Sequence, residues 1–129
     1  MEPLTWLVLQ VLLGRYEGVE VLYLYYVEGW ATYRVARRLG LSRRAIRYLV
    51  SRVWEEVGSC FELVEYLRRY YSILLEVEPL VLYSEDGFTC RLCGETVLRN
   101  PARHILERHR DVVYAVRDLV RSGRGLARF

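Results

Sequence analysis

Two cysteines and two histidines constrain the fold more than any other feature, because their spacing suits a single metal ion. Cys90 and Cys93 are separated by two residues, and the only two histidines follow as His104 and His109, giving C-x2-C-x10-H-x4-H. Two thiolates and two imidazoles at these separations can close a tetrahedral shell around one Zn²⁺, which leaves no open position for a catalytic water. The sequence therefore predicts a structural zinc site. The alternative is a coincidental pair of thiols near histidines on a helix surface.

The flanks of this motif resemble a C2H2 zinc finger over residues 88–109. Residues 88–89 and 95–98 are typical of two short strands, and Asn100 before Pro101 is typical of a helix start. The resemblance implies a small ββα unit around zinc. Ten residues lie between the second cysteine and the first histidine, whereas about twelve is usual. A helix that begins at Pro101 also lacks the first DNA-reading turn of such a finger, so we expect zinc to be mainly structural.

The helix after Pro101 cannot be regular if both histidines bind one metal ion. Residues five apart on an α-helix point about 140° from one another, and His104 and His109 have that separation. Apolar residues nevertheless continue at helical spacing as far as Val120. We therefore predict an extended C-terminal helix over residues 101–121, with a loosened or π-type turn near residues 107–110.

An arginine-rich stretch lies earlier in the chain, where residues 30–54 carry seven arginines and no acidic residue. Its apolar and small positions follow Ala36-x3-Gly40-x5-Ile46-x2-Leu49. This register supplies a small residue where two helices cross, a glycine for a left-handed turn, and two apolar residues one helical step apart. Ser42 is a suitable N-cap for a helix over residues 42–54. The inward stripe of that helix is predicted to be Ile46, Leu49, Val50, Val53 and Trp54.

Residues 19–54 resemble the helix-turn-helix of the sigma-factor region that reads promoters. The resemblance implies a three-helix DNA-binding unit whose last helix lies in the major groove of double-stranded DNA. The residues expected to contact base edges and phosphates, here called the basic face, are Ser42, Arg43, Arg44, Arg47, Tyr48, Ser51 and Arg52. The alternative is an arginine-rich, solvated helix face in an unrelated helical bundle.

The charges and helix signals divide the chain into three segments of a mainly α fold. Net charge is +7 over residues 30–54, −6 over residues 55–89 and +5 over residues 90–129. Two basic segments that flank an acidic one indicate a polyanionic partner that contacts both basic segments. Ser59 and Glu62 form a capping box for a helix expected to run to about Glu78. Cys60 falls on the apolar face of that helix and is expected to be a buried structural residue. The predicted units are a helix-turn-helix bundle over 1–57, a connecting helix over 58–79, and a zinc finger with a long helix and basic tail over 80–129.

Residues 4–13 are apolar on nearly all sides of a helix, so that helix must be covered. Either it completes the core of the first unit, residues 1–57, or it meets a second copy, which would give a homodimer. The apolar run is too short to span a bilayer, and no signal-peptide pattern precedes it. We therefore expect no membrane partner and a cytoplasmic location. All 19 basic residues are arginine, and in composition and architecture the chain resembles small regulators of hyperthermophilic archaea or their viruses.

These features together favour a sequence-specific, double-stranded DNA-binding protein that regulates transcription. The alternative is a zinc-stabilised module that binds another protein, or an architectural nucleic-acid-binding module. An enzyme is not expected, because the predicted metal shell is closed and no carboxylate cluster or nucleophile motif accompanies it.

Overall fold

The computed structural model describes residues 1–58, 60–96 and 99–123. These residues form a mainly helical protein with seven α-helices, one π-helical segment and one two-stranded antiparallel sheet. The elements are α1 Pro3–Leu12, α2 Tyr16–Leu22, the π-helical segment Tyr23–Val27, α3 Thr32–Leu39, α4 Arg43–Val57, α5 Cys60–Leu74, β1 Val81–Ser84, β2 Gly87–Cys90, α6 Pro101–Arg108 and α7 Arg110–Arg121.

Helix α1 is the centre of the fold. Each of its residues, from Pro3 through Leu12, is buried, and the helix packs against α2, α5 and α7. An apolar helix gains stability wherever its surface leaves water, at roughly 25 cal/mol per Å² of apolar area. The segment is therefore covered within its own chain, but not by the predicted first unit alone, because α5 and α7 lie beyond residue 57.

One hydrophobic core joins the N-terminal helices to the C-terminal ones. Its buried members include Val53 from α4, Leu63 from α5, Val81 from β1, Ile105 from α6 and Val113 from α7, all in the same cluster as α1. A smaller cluster holds α3 against α4 and α2 through Val21, Val35, Ala36 and Ile46. The half with the predicted metal ligands and the arginine-rich half thus share the packing around α1.

The turn between α3 and α4 forms as the sequence predicts. Gly40 has φ +68°, and its N–H bonds back to the carbonyl of Ala36, so a residue with a Cβ would be strained there. The side chain of Ser42 accepts a hydrogen bond of 3.0 Å from the N–H of Ala45. This satisfies one of the free donors at the start of α4 and confirms the predicted N-cap.

Trp54 corrects the predicted inward stripe of α4. Ile46 and Val53 are buried, and Leu49 and Val50 are half-buried, but the Trp54 residue is 61% exposed. Successive helical residues point 100° apart, so a narrow contact that buries Val53 leaves the next residue outside. The prediction of Trp54 as a core residue was wrong.

Helix α5 ends at Leu74, before the predicted limit at Glu78. The N–H groups of Glu76 and Val77 bond to carbonyls only three residues back, at 3.0 and 3.2 Å, which tightens the chain into a turn. Val77 is buried there. The capping residue Ser59 and the side chain of Cys60 lie outside the described part of the chain, so those two predictions stay untested.

The hairpin that follows leads the chain to Cys90, the first of the predicted metal ligands. Strands β1 and β2 pair from Val81 opposite Cys90 to Ser84 opposite Gly87, so the expected strand at residues 88–89 lies within β2. Thr96 forms one further bridge, with Thr89. Val97 and Leu98, which complete the predicted returning strand, lie outside the described residues.

The predicted continuous helix over residues 101–121 is interrupted at His109. This residue has φ −132° and ψ 32°, between α6 and α7, so the expected distortion is present at the expected place. It is a break between two helices and not a π-type turn. The π-helical segment occurs instead at Tyr23–Val27, and residues 124–129 of the basic tail lie outside the described part.

Candidate metal centre and basic helix face

The four predicted metal ligands come together in space. One potential ligand atom from each of Cys90, Cys93, His104 and His109 lies within 4.8 Å of the other three. They arrive from the end of β2, the turn that follows it, the first half of α6, and the break between α6 and α7. A metal ion could therefore be held by residues that span the whole sequence motif; these four residues are here called the metal cluster.

The turn after β2 brings the two cysteines together. The N–H of Gly94 donates to the carbonyl of Cys90 at 2.8 Å, and the N–H of Cys90 donates to the carbonyl of Glu95 at 2.9 Å. Gly94 has φ +75°, a conformation that favours glycine. The chain reverses within these residues, so that Cys93 turns back toward buried Cys90.

His104 is oriented from both sides of its ring. Its Nε2 lies 3.4 Å from the Sγ of Cys93, and its Nδ1 lies 3.3 Å from Oε2 of Glu95. Metal-binding histidines commonly donate their other ring N–H to a carboxylate, which fixes the tautomer and leaves the ligating nitrogen unprotonated. Glu95 was not singled out from the sequence, although an acidic residue two positions after Cys93 was an available signal.

His109 supplies the strongest indication that the cluster holds an ion. Among the described residues, its Nε2 is the one buried side-chain nitrogen or oxygen without a hydrogen-bond partner. Buried polar atoms are almost always paired, and the imidazole lies with its ring centroid 5.1 Å from that of His104. A metal ion bound through Nε2 of both histidines would satisfy this atom. Two thiols and two imidazoles are also a donor set that suits a tetrahedral site.

All seven residues of the basic face are exposed on or just before α4. Arg44 and Arg47 make no hydrogen bond or ion pair with any described residue, so their guanidinium groups meet solvent. Arg43 lies 5.9 Å from the ring centroid of Tyr33, a loose contact. The basic face is thus presented outward, and within the described chain its two central arginines have no competing partner.

Arg52 differs from the other arginines of this face. It forms an ion pair with Glu56, one turn further along α4, and that carboxylate raises the pKa of the Arg52 guanidinium through their hydrogen bond. Its guanidinium carbon also lies 5.9 Å from the ring centroid of Tyr48. Arg52 is therefore held in place by its neighbours at the edge of the basic face. Arg44 and Arg47 have no such contact among the described residues.

The structure adds aromatic residues that the sequence pattern did not assign to this surface. Exposed Trp54 lines a groove of about 230 Å³ together with Tyr25, Arg47 and Ser51. The Arg34 guanidinium stacks 3.9 Å from the ring centroid of Trp30. No periodicity signal could have found the groove, because it depends on how the π-helical segment and α3 lie beside α4.

No family model, curated protein or solved structure matches this chain. Function must therefore be argued from the chemistry of the two sites themselves. Across residues 1–58, 60–96 and 99–123, no helix has both the length and the apolar composition that crossing a bilayer requires.

Proposed function

We propose that this protein binds double-stranded DNA sequence-specifically and regulates transcription. In this proposal α3 and α4 form a helix-turn-helix, with α4 as the helix that enters the major groove. The observation that carries it is that α4 has two different faces. Ile46 and Val53 are buried, while Arg44 and Arg47 are exposed and make no hydrogen bond or ion pair with the described residues. A helix that keeps several arginines unpaired on one continuous face suits a polyanionic partner.

The dimensions and chemistry of α4 suit direct contact with base edges. Its 15 residues extend about 22 Å at 1.5 Å per residue, and a B-DNA major groove of about 12 Å width admits an α-helix. Arg44 and Arg47 would donate in pairs to guanine O6 and N7, or to phosphate oxygens. Tyr48 and Ser51 can add single hydrogen bonds, while Arg43 and Arg52 at the ends of the face would contact the backbone.

The ion of the metal cluster is proposed to be Zn²⁺ with a structural role in a finger-like ββα unit. Asn100 caps α6 by accepting from the N–H of Arg103 at 3.1 Å, which supports a late helix start just before the first ligand histidine. Such a start leaves little helix available to enter a groove in the manner of a DNA-reading finger. Zinc would contribute by fixing α6 and the turn after β2 to each other.

A homodimer on an inverted-repeat site remains part of the proposal. Paired recognition helices normally lie about one turn of DNA apart, near 34–36 Å. Because α1 is covered by its own chain, a second copy would have to bind another surface. The oligomeric state is measured by light scattering, with and without the selected DNA.

The test is selection of the zinc-loaded protein on a random double-stranded DNA pool, at two salt concentrations, followed by affinity measurements on the recovered and scrambled sequences. We expect a short motif to be recovered. Arg47→Ala should lose about 1–3 kcal/mol of discrimination between the two sequences. Arg52→Ala should weaken both alike and lower the slope of log affinity against log salt by about 0.9.

Arg69→Ala is the matched control, because Arg69 is an exposed arginine of α5 without a partner among the described residues. It should change neither quantity. Equal losses on both DNA sequences for Arg47→Ala and Arg52→Ala would contradict the assigned roles. A pool without a motif would contradict sequence-specific binding.

One observation favours the alternative function, a protein-interaction module with weak nucleic-acid affinity. The residues Trp54 and Phe61 are 61% and 84% exposed near the junction of α4 and α5, and exposed aromatic side chains are enriched at protein interfaces. This alternative predicts motif-free binding to DNA that weakens steeply with salt.

A further inference from the structure

A second polar surface lies beside the basic face, in a groove between α1, the end of α4 and α6. The groove has a volume of about 750 Å³, and its lining residues include Gln10, Arg15, Arg52, Arg103 and Arg110. Residues from both predicted basic segments therefore meet at one place. The sequence could not show this, because the lining residues come from helices that are far apart along the chain.

Two ion pairs account for the acidic residues of this groove. Glu56 is paired with Arg52 and also accepts a hydrogen bond of 2.5 Å from the indole N–H of Trp6. Glu107 is paired with Arg103 at 2.7 Å. Each carboxylate is thus already neutralised by a neighbour one helical turn away, and the groove keeps the charge of its remaining arginines.

Arg15 and Arg110 supply that remaining charge. Arg15, just after α1, makes no side-chain hydrogen bond or ion pair with the described residues. Arg110 uses its Nε to donate to the carbonyl of Leu106 at 3.2 Å, which leaves the other donors of its guanidinium without a partner there. Arg15 and Arg110 both line this groove, and two cations with unused donors favour the binding of an anion there.

Gln10 adds a side-chain amide to the groove. The residue is 9% exposed, and within the described chain its side-chain amide has no hydrogen-bond partner. It nevertheless lines the groove. The amide atoms are not among the buried, unpartnered side-chain atoms of the described residues, so they are open to the groove and can hydrogen-bond to a ligand there.

We infer that this groove binds backbone phosphates of the DNA duplex whose bases α4 contacts; the inference rests on the proposed function. Arg52 belongs both to the basic face and to the groove lining, so the two surfaces are continuous. The donors of Arg15, Arg110 and Gln10 suit phosphate oxygens, beside apolar lining residues such as Trp6 and Leu9. The groove extends the DNA contact from α4 onto α6, and it fixes the orientation of α4 without carrying sequence information.

The experiment compares the full-length, zinc-loaded protein with the double variant Arg15→Ala/Arg110→Ala on the selected DNA over a range of salt concentrations. Loss of two phosphate contacts should lower the slope of log affinity against log salt by about 1.8, and weaken binding by roughly tenfold per arginine near 0.1 M salt. Discrimination between selected and scrambled DNA should stay unchanged. Hydroxyl-radical footprinting should show loss of backbone protection beside the motif.

Arg68→Ala/Arg69→Ala is the matched control, since it removes the same charge from the exposed face of α5. The inference is overturned if the two double variants change the slope equally while Arg47→Ala still loses sequence preference, and the proposed function then stands. If the wild-type protein shows no salt-dependent DNA binding, the proposed function itself fails. Equal weakening of DNA and polyglutamate binding by the groove variant would overturn the assignment to phosphate.

Discussion

The metal cluster and the basic face differ in what completes each site. Four ligand atoms from separate segments meet within 4.8 Å, so the metal cluster is completed by the chain itself. Arg44 and Arg47 point away from the chain into solvent, so the basic face is completed only by a partner. The folded structure alone can therefore show that the ligand atoms of the metal cluster meet. The role of the basic face is tested only when a binding partner is added.

The two regions are nevertheless linked through packing. Cys90 is fully buried in the same cluster as α1 and Val53 of α4, and α6 carries His104 on one side and groove residues on another. A change at the metal cluster should therefore reach the DNA-binding surface through α1 and α6. A change on the solvent side of α4 should not reach the metal.

Removal of the metal should produce the largest effect. A structural ion present at about 1,000 times its dissociation constant stabilises a fold by roughly 4 kcal/mol, which for a chain of this size corresponds to a fall in melting temperature on the order of 15 °C. Thermal unfolding followed by circular dichroism, with and without chelator, measures the shift. Elemental analysis should find one zinc ion per chain before chelation.

Cys90→Ser should match the chelated protein, because it removes the buried ligand. Cys60→Ser serves as the control, since the sequence predicts that Cys60 is a structural residue and not a metal ligand. Identical melting of the chelated and the untreated protein would show that the metal cluster holds no stabilising ion. That result would also remove the contrast between the metal cluster and the basic face, because neither site would then be shown to be complete in the folded chain.

Loss of the carboxylate beside His104 should have a smaller effect, confined to the metal cluster. Glu95→Ala removes the partner 3.3 Å from Nδ1, and such changes typically weaken metal affinity 10- to 100-fold. Competition with a chromophoric chelator measures the affinity. Glu95→Gln keeps an acceptor oxygen and should recover part of the loss.

Glu85→Ala is the matched control, because Glu85 is an exposed acidic residue in the turn between β1 and β2. Its metal affinity should equal that of the wild type. If Glu95→Ala binds zinc as tightly as Glu85→Ala, the contact with His104 does not support the ligand. The helix backbone alone would then orient the His104 ring.

The parts predicted well from sequence are those governed by local geometry. The turn at Gly40 and the cap at Ser42 depend on a few adjacent residues, and both formed as expected. The distortion at His109 followed from the angle between residues five apart on a helix. The sequence could not distinguish a π-type turn from a helix break, because either relieves the same angular conflict.

The parts that were missed depend on contacts between distant segments. Helical periodicity placed Trp54 beside the inward stripe, but the width of that stripe is set by how closely α3 and α5 approach α4. The coverage of α1 was left open, because an apolar surface is stabilised equally by its own chain or by a second copy. The groove at Gln10 required α1, α4 and α6 to be placed together.

The smallest predicted effect tests whether the basic face depends on the local order of α4. Ser42→Ala removes the cap bond to the N–H of Ala45 and should lower the free energy of unfolding by about 1 kcal/mol. Because the cap lies directly before Arg43 and Arg44, fraying should weaken DNA binding while zinc affinity stays at its wild-type value. Ser72→Ala, at an exposed serine within α5, is the control and should change neither. If Ser42→Ala lowered zinc affinity as much as DNA affinity, the two regions would form one cooperative unit. The metal cluster is completed by the chain and the basic face by a partner, but the two would then not differ in stability.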